Sequence, residues 1–193
     1  TEKEIIPQLT DLENEITFNA KLFSRIKYVY DRERATLKGE DRKLLDEIYK
    51  QFVRSGALLS ADKKARMEQI NKRIAELQQQ WGTMLPDATN HAAVWVDSKD
   101  ELKGLSEADI AQCRKDAERR GGKAPYCIVI VNPTQQAILT HLENRDLRRR
   151  VFEASLHRAD GTGAFNTYPI VVEIAKLRSE KAELMGHKNY AAY

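Results

Sequence analysis

SADKKARMEQINKRIAELQQQWGTMLP, residues 60–86, is the stretch whose reading decides the fold. Within it Ile70, Ile74, Leu77, Trp81 and Met84 follow one another at spacings of four, three, four and three. That is the period of a single helical face, so the segment predicts a long amphipathic helix. Ser60 reads as its N-cap, because a serine hydroxyl can accept a bond from a first-turn amide. Pro86 reads as its stop, since proline has no N–H for the helical ladder. The stripe suits a coiled-coil-like neighbour, most economically the preceding helix folded back as a hairpin.

Upstream, the same period predicts three further helices. One runs from after Pro7 to about Thr17, and one from Asn19 to Leu37, ending at Gly39, with Leu22, Ile26 and Val29 on one face. A third covers Glu40 to Arg54 with Leu44, Leu45, Ile48 and Phe52, and Gly56 supplies its stop. Downstream the character changes. About 91–97 and 126–131 contain Ala-Val-Trp-Val and Tyr-Cys-Ile-Val-Ile-Val, β-branched and aromatic runs of strand length. Two strands alone are marginal, so they are expected to pair with each other and pack on helices. Between them, Ser98 to Glu101 has capping-box spacing, and a helix from Ser106 to about Arg120 closes on Gly121-Gly122. Asn132-Pro133 opens a helix to about Leu142 that passes, through a kink at Asn144, into Asp146–Arg158. After the turn Ala159–Ala164, a last helix from about Asn166 buries Ile170, Ile174, Leu177 and Leu184 and is capped by Gly186. The fold class expected is therefore mainly α: packed antiparallel helices with a minor two-stranded β element. Residues 1–193 form one helical domain or partial domain, with 91–131 as a small β-containing insert.

Composition narrows the function classes. With 41% apolar and 32% charged residues in 193, the chain reads as a globular protein able to bury a core. A net charge of +3 is mild for a nucleic-acid binder. Cys113 and Cys127 make no disulfide framework. No leader and no apolar run of about 18 residues is visible, so no membrane span is expected. The chain begins at Thr1 without methionine and stops at Tyr193, which reads as trimmed ends.

No self-contained catalytic centre is legible. His91, His141, His157 and His187 are never four apart, no His-Glu-x-x-His occurs, and the two cysteines are fourteen residues apart. Local spacing therefore offers no metal site. Ser155 and His157 lack a nucleophile elbow, and both thiols read as packing residues. Gly121-Gly122 and Gly161-Thr-Gly163 are turns rather than phosphate cradles. The basic run Arg145, Arg148, Arg149, Arg150 could grip phosphates or an acidic partner. Glu143, Asp146 and Glu153 are interleaved with it and no aromatic residue alternates, which favours local pairing.

Read as strings, these residues resemble a family. Leu44–Ser60, with Phe52-x-Arg54-x-Gly56, is similar to a helix end in peptidyl-dipeptidases of the thimet-oligopeptidase family of zinc metallopeptidases. The long helix from Asp62, Asp100-Glu-Leu-Lys-Gly-Leu-Ser106 and Ile130-Val-Asn-Pro-Thr134 resemble successive steps of that family. So does the path from Asn144-Arg-Asp-Leu-Arg148 to Phe152–Arg158. The most specific stretch is Leu177-Arg-Ser-Glu-Lys-Ala-Glu-Leu-Met-Gly-His-Lys-Asn-Tyr-Ala191, similar to the signature Leu-Arg-x-Glu-Lys-Ala-x-Leu-x-Gly-x-x-x-Tyr-Ala. The bacterial peptidyl-dipeptidase branch fits best.

The resemblance implies a parent that binds zinc and removes dipeptides from the C-termini of short peptides. Its metal and its His-Glu-x-x-His helix would lie in a C-terminal catalytic half that this sequence does not contain. This segment would form a wall of the substrate channel. It would hold no metal, no catalytic residue and no nucleic acid or membrane partner, and would be inactive alone. The expected compartment is the cytoplasm, with a periplasmic or exported parent as the alternative. The rival reading is a helical adaptor using the Arg145–Arg150 surface.

Overall fold

A computed structural model describes residues 2–131 and 138–193, with side chains from Glu4 onward. It is mainly helical, with a small two-stranded antiparallel sheet, as the periodicity predicts. The helices are α1 (Glu2–Thr17), α2 (Ala20–Glu33), α3 (Gly39–Ser55), α4 (Ala61–His91), α5 (Glu107–Arg119), α6 (Arg145–Leu156) and α7 (Tyr168–Leu184). The strands are β1 (Ala93–Val96) and β2 (Tyr126–Val129). The opening of a helix at Asn132-Pro133 lies outside the described residues. Two compact units emerge, one of residues 1–80 with 170–193 and one of residues 81–169, so α4 and α7 each contribute to both.

In the first unit the expected hairpin forms between α2 and α3, not between α3 and α4. Asn19 caps α2 by accepting the Leu22 amide at 2.9 Å. The helix ends at Glu33 rather than Leu37, and Arg34 turns to form a two-pronged ion pair with Asp46 at 2.5 and 3.1 Å. Aromatic stacking draws the two helices together. Tyr30 lies on Tyr49 with ring centres 3.7 Å apart, and Phe23 stacks on Tyr49 and Phe52. Phe23 is thus the buried residue of α2, whereas Leu22 and Val29 of the expected face are exposed, as is Leu44 of α3. Rings that bury more area than a leucine have chosen the face.

α4 is instead tied to α7 and α1. Arg66 grips Glu180 at 2.6 and 2.8 Å, and Arg73 grips Glu173 at 2.6 and 3.1 Å. The two pairs are seven residues apart on each helix and run in opposite senses, which makes α4 and α7 antiparallel neighbours. Lys72 pairs with Asp11 of α1 at 2.9 Å. The buried side of α4 is Met67, Ile70 and Leu77, while Trp81 of the expected stripe is exposed. Both prolines read as helix limits lie inside helices, Pro7 in α1 and Pro86 in α4. Each removes one ladder bond, and α4 continues because its final turn packs Ala88, 1% exposed, into the second unit.

The second unit is built on the sheet, whose register pairs Val94 with Ile128 and Val96 with Tyr126. Because side chains alternate across a strand, these four share a face and meet Leu102, Ile110, Leu142, Leu147 and Val151. The opposite face carries Trp95, Cys127 and Val129 against Ala117 of α5. Ser106 caps α5 and Asn144 caps α6, each by accepting an amide three residues on. Asn144 therefore starts a separate helix after an irregular step at 142–144, where a kinked continuous helix was expected. An asparagine side chain that competes for backbone amides favours a cap over a mid-helix place. Ser98 caps only a 3-10 turn, Lys99–Leu102.

Gly104 joins that turn to the 141–143 segment. Its φ is +96°, and a Cβ there would lie 2.1 Å from the His141 carbonyl oxygen. The Lys103 carbonyl accepts the Glu143 amide at 2.8 Å, so the two backbones touch. Gly104→Ala should lower unfolding free energy by about 2–4 kcal/mol, since left-handed strain and a backbone clash add. Gly82→Ala, with open space around it inside α4, should instead stabilise by about 0.5–1 kcal/mol. Urea denaturation of both variants checks the pair.

Candidate functional site

The signature stretch near the C-terminus builds a polar cleft. α7 presents Ile170, Ile174, Leu177, Lys181 and Leu184 at spacings of four, three, four and three, so a lysine occupies the apolar stripe. Its ammonium donates to Asn71 Oδ1 of α4 at 2.7 Å. Asn71 Nδ2 in turn donates to Asn14 Oδ1 of α1 at 2.9 Å, and Asn14 is only 8% exposed. Burial pushes the Lys181 ammonium below its ordinary value, with no acid paired to it among the described residues. A charged group withdrawn from water needs such polar partners to be tolerated.

Past α7 the chain reverses. Gly186 takes φ +81°, its amide meets the Glu183 carbonyl and the His187 amide meets the Ala182 carbonyl at 2.9 Å. This is a Schellman end, which needs a residue free of Cβ strain at that position. The reversal brings Tyr190 back onto the Arg178 guanidinium, 5.2 Å from ring centre to carbon. Tyr193 then donates its hydroxyl to the Arg54 carbonyl at 2.6 Å. Arg, Lys, Gly and Tyr of the signature thus act as one local device. Together they wall a cavity of about 380 Å³ with Asn14, Asn71, Ile74, Gln78, Arg178, Lys181 and Tyr190 in its lining. Sequence reasoning did not single out this site, although the lysine inside the α7 stripe signalled it.

The residues weighed from sequence lie elsewhere and do not converge. His91 is bonded through Nδ1 to the Asp87 carbonyl, His141 is exposed, and the His187 ring lies 5.5 Å from that of Tyr193. Among the described residues no three His, Cys, Asp or Glu side chains group as metal ligands. Cys113 and Cys127 are both buried free thiols. Burial first, then Asp116, pushes Cys113 up to about 11, and burial also raises Cys127, so neither is a ready thiolate. The arginine run is largely engaged within the chain. Arg148 bonds the Leu142 and Glu143 carbonyls, Arg150 bonds the Trp95 carbonyl at 2.6 Å, and Arg149 faces Asp146 at 3.7 Å. No helix among the described residues is long and apolar enough to cross a membrane.

No family model matches the chain. It is similar to dipeptidyl carboxypeptidase of Escherichia coli, with 31% identity over 193 residues, 100% of this chain and 28% of that protein. Dipeptidyl carboxypeptidase of Salmonella typhimurium shares 33% over 187 residues, 96% of this chain and 28% of its own length. Oligopeptidase A of Salmonella typhimurium shares 27% over 194 residues, 98% and 28% respectively. The chain therefore spans little more than a quarter of the length of these relatives.

His157 contributes to a local turn rather than to a centre. Its ring hydrogen-bonds Asp160 Oδ2 through Nδ1 at 2.5 Å, while the Thr162 amide and hydroxyl donate to Asp160 Oδ1 at 3.0 and 2.8 Å. These bonds, the histidine's foremost, hold the Asp160 carboxyl at about 2 against an ordinary 3.8. A depressed carboxyl stabilises fully above its unfolded value and loses that contribution as pH falls through its folded one. The native chain should thus lose stability between about pH 4 and pH 2 partly through Asp160. Asp160→Asn should flatten that part of the profile, read by urea titrations at stepped pH.

Proposed function

We propose that this chain, a homologue of the dipeptidyl carboxypeptidases and of oligopeptidase A, is a non-catalytic N-terminal segment of a zinc-dependent peptidyl-dipeptidase. The observation that carries the reading is a match over 100% and 96% of the chain to two dipeptidyl carboxypeptidases, at 31% and 33% identity, covering 28% of each. The lower 27% identity to oligopeptidase A of Salmonella typhimurium favours the peptidyl-dipeptidase branch. The parent would release dipeptides from the C-termini of short peptides, in the cytoplasm.

Zinc supplies such an enzyme with a Lewis acid and an activated water. The described residues of this chain do not fit that metal, since no His-Glu-x-x-His occurs in the sequence and no three ligating side chains group together. No catalytic step is therefore assigned to a residue here. The role left to this segment is mechanical: a stiff helical wall that limits the channel to short peptides. The paired Arg66–Glu180 and Arg73–Glu173 contacts, two-pronged and seven residues apart, support stiffness along α4 and α7. The rival reading, a docking surface for nucleic acid or an acidic partner on Arg145–Arg150, loses weight because Arg148 and Arg150 bond backbone carbonyls of the same unit.

A zinc-supplemented assay of dipeptide release from a short acylated peptide tests the proposal. It compares this 193-residue chain with the product of its full reading frame. Activity in the longer protein alone is expected. Release by the pure 193-residue chain would overturn the non-catalytic assignment, and inactivity of both would overturn the peptidase reading.

A further inference from the structure

We propose that the cleft between α1, α4 and the C-terminal end of α7 is a binding site for a single carboxylate, gripped by Lys181 and Arg178. The inference does not depend on any peptidase activity, because it rests on the charge and hydrogen-bond inventory of the cleft itself.

Two cations line the cavity, and neither is ion-paired among the described residues. An ammonium has three donors, and that of Lys181 spends one on a neutral amide oxygen, Asn71 Oδ1. Arg178 makes no ion pair among the described residues and instead lies against the Tyr190 ring. Both side chains are held in position in advance, Lys181 by the Asn71–Asn14 chain and Arg178 by the ring, so little ordering is left to a ligand. The cavity, at about 380 Å³, has the size of a small-molecule pocket. Burial lowers the Lys181 ammonium from its ordinary value, and an incoming anion would reverse that direction.

Charge selects the ligand class. Lys181 and Arg178 contribute two positive charges and Glu13, the acid in the lining, one negative, leaving one to be balanced. A carboxylate carries that single charge and fits the planar donor fork of arginine, whereas a phosphate dianion would overcompensate. The carboxylate could come from a free small acid or from the C-terminus of a peptide, and the experiment separates the two.

The side-chain Nζ and Nε resonances of the 193-residue chain are followed by NMR during titrations at constant ionic strength. Acetate, the dipeptide Ala-Ala, Ala-Ala amide and inorganic phosphate are the probes. Saturable shifts of Lys181 and Arg178 with acetate or Ala-Ala, and none with the amide, are expected. Acetate alone acting would assign the free acid, and Ala-Ala acting more tightly would assign a peptide terminus. Lys181→Met keeps the aliphatic stem and should weaken binding about tenfold or more, as should Arg178→Gln. Equal response to acid and amide, tighter binding of phosphate, unchanged affinity in both variants, or no saturable response to either carboxylate would each overturn the proposal.

Discussion

The bond from Lys181 to Asn71, carried on to Asn14, is the constraint on which the first unit depends. It joins α7, α4 and α1 through groups that are costly to bury unless each finds a partner. A half-buried ammonium bonded to a neutral amide sets a geometric demand, because sliding any of the three helices by one turn would break the chain of bonds from Lys181 through Asn71 to Asn14. The two arginine–glutamate clasps along α4 and α7 fit the same antiparallel register from the solvent side. Exposed pairs of that kind contribute little each, so the register is specified by the interior bonds and reinforced by the clasps.

The signature near the C-terminus acquires a physical meaning from this arrangement. Lys181 supplies the interior bond, Ala182 is fully buried, and Gly186 lets the chain reverse so that Tyr190 meets Arg178. Asp100–Ser106 is explained in the same way in the second unit. Gly104 is required there because a carbonyl occupies the place of its Cβ, and Leu102 beside it is wholly buried. These two of the strings that carried the family resemblance are therefore packing and chain-reversal devices.

Helix existence, the strand pair and the helix ends at Gly56 and Gly186 were legible because each depends on neighbours in sequence. What α4 packs against was not. Spacing says that a stripe exists and is silent on which helix covers it, and the choice fell to charges 100 and 114 residues away, Glu173 and Glu180. The α2 face was misread because its aromatic rings outweighed its aliphatic residues in the packing with α3. Pro7 and Pro86 misled because a proline costs a ladder bond without forbidding a helix whose flanks are held by packing. The polar cleft was half legible: a lysine at the fourth place of an apolar stripe is visible in sequence, but its partners on α1 and α4 are not.

The most direct measurement is a double-mutant cycle on Asn71→Leu and Lys181→Met, read by urea denaturation of the 193-residue chain. The account predicts that Asn71→Leu alone costs about 1–3 kcal/mol, because it removes the amide partner of the half-buried ammonium. It predicts that adding Lys181→Met recovers part of that loss, so the double variant is more stable than Asn71→Leu alone. Strictly additive losses would mean that the two side chains do not sense each other, and would contradict the interior bond as the element that sets the register.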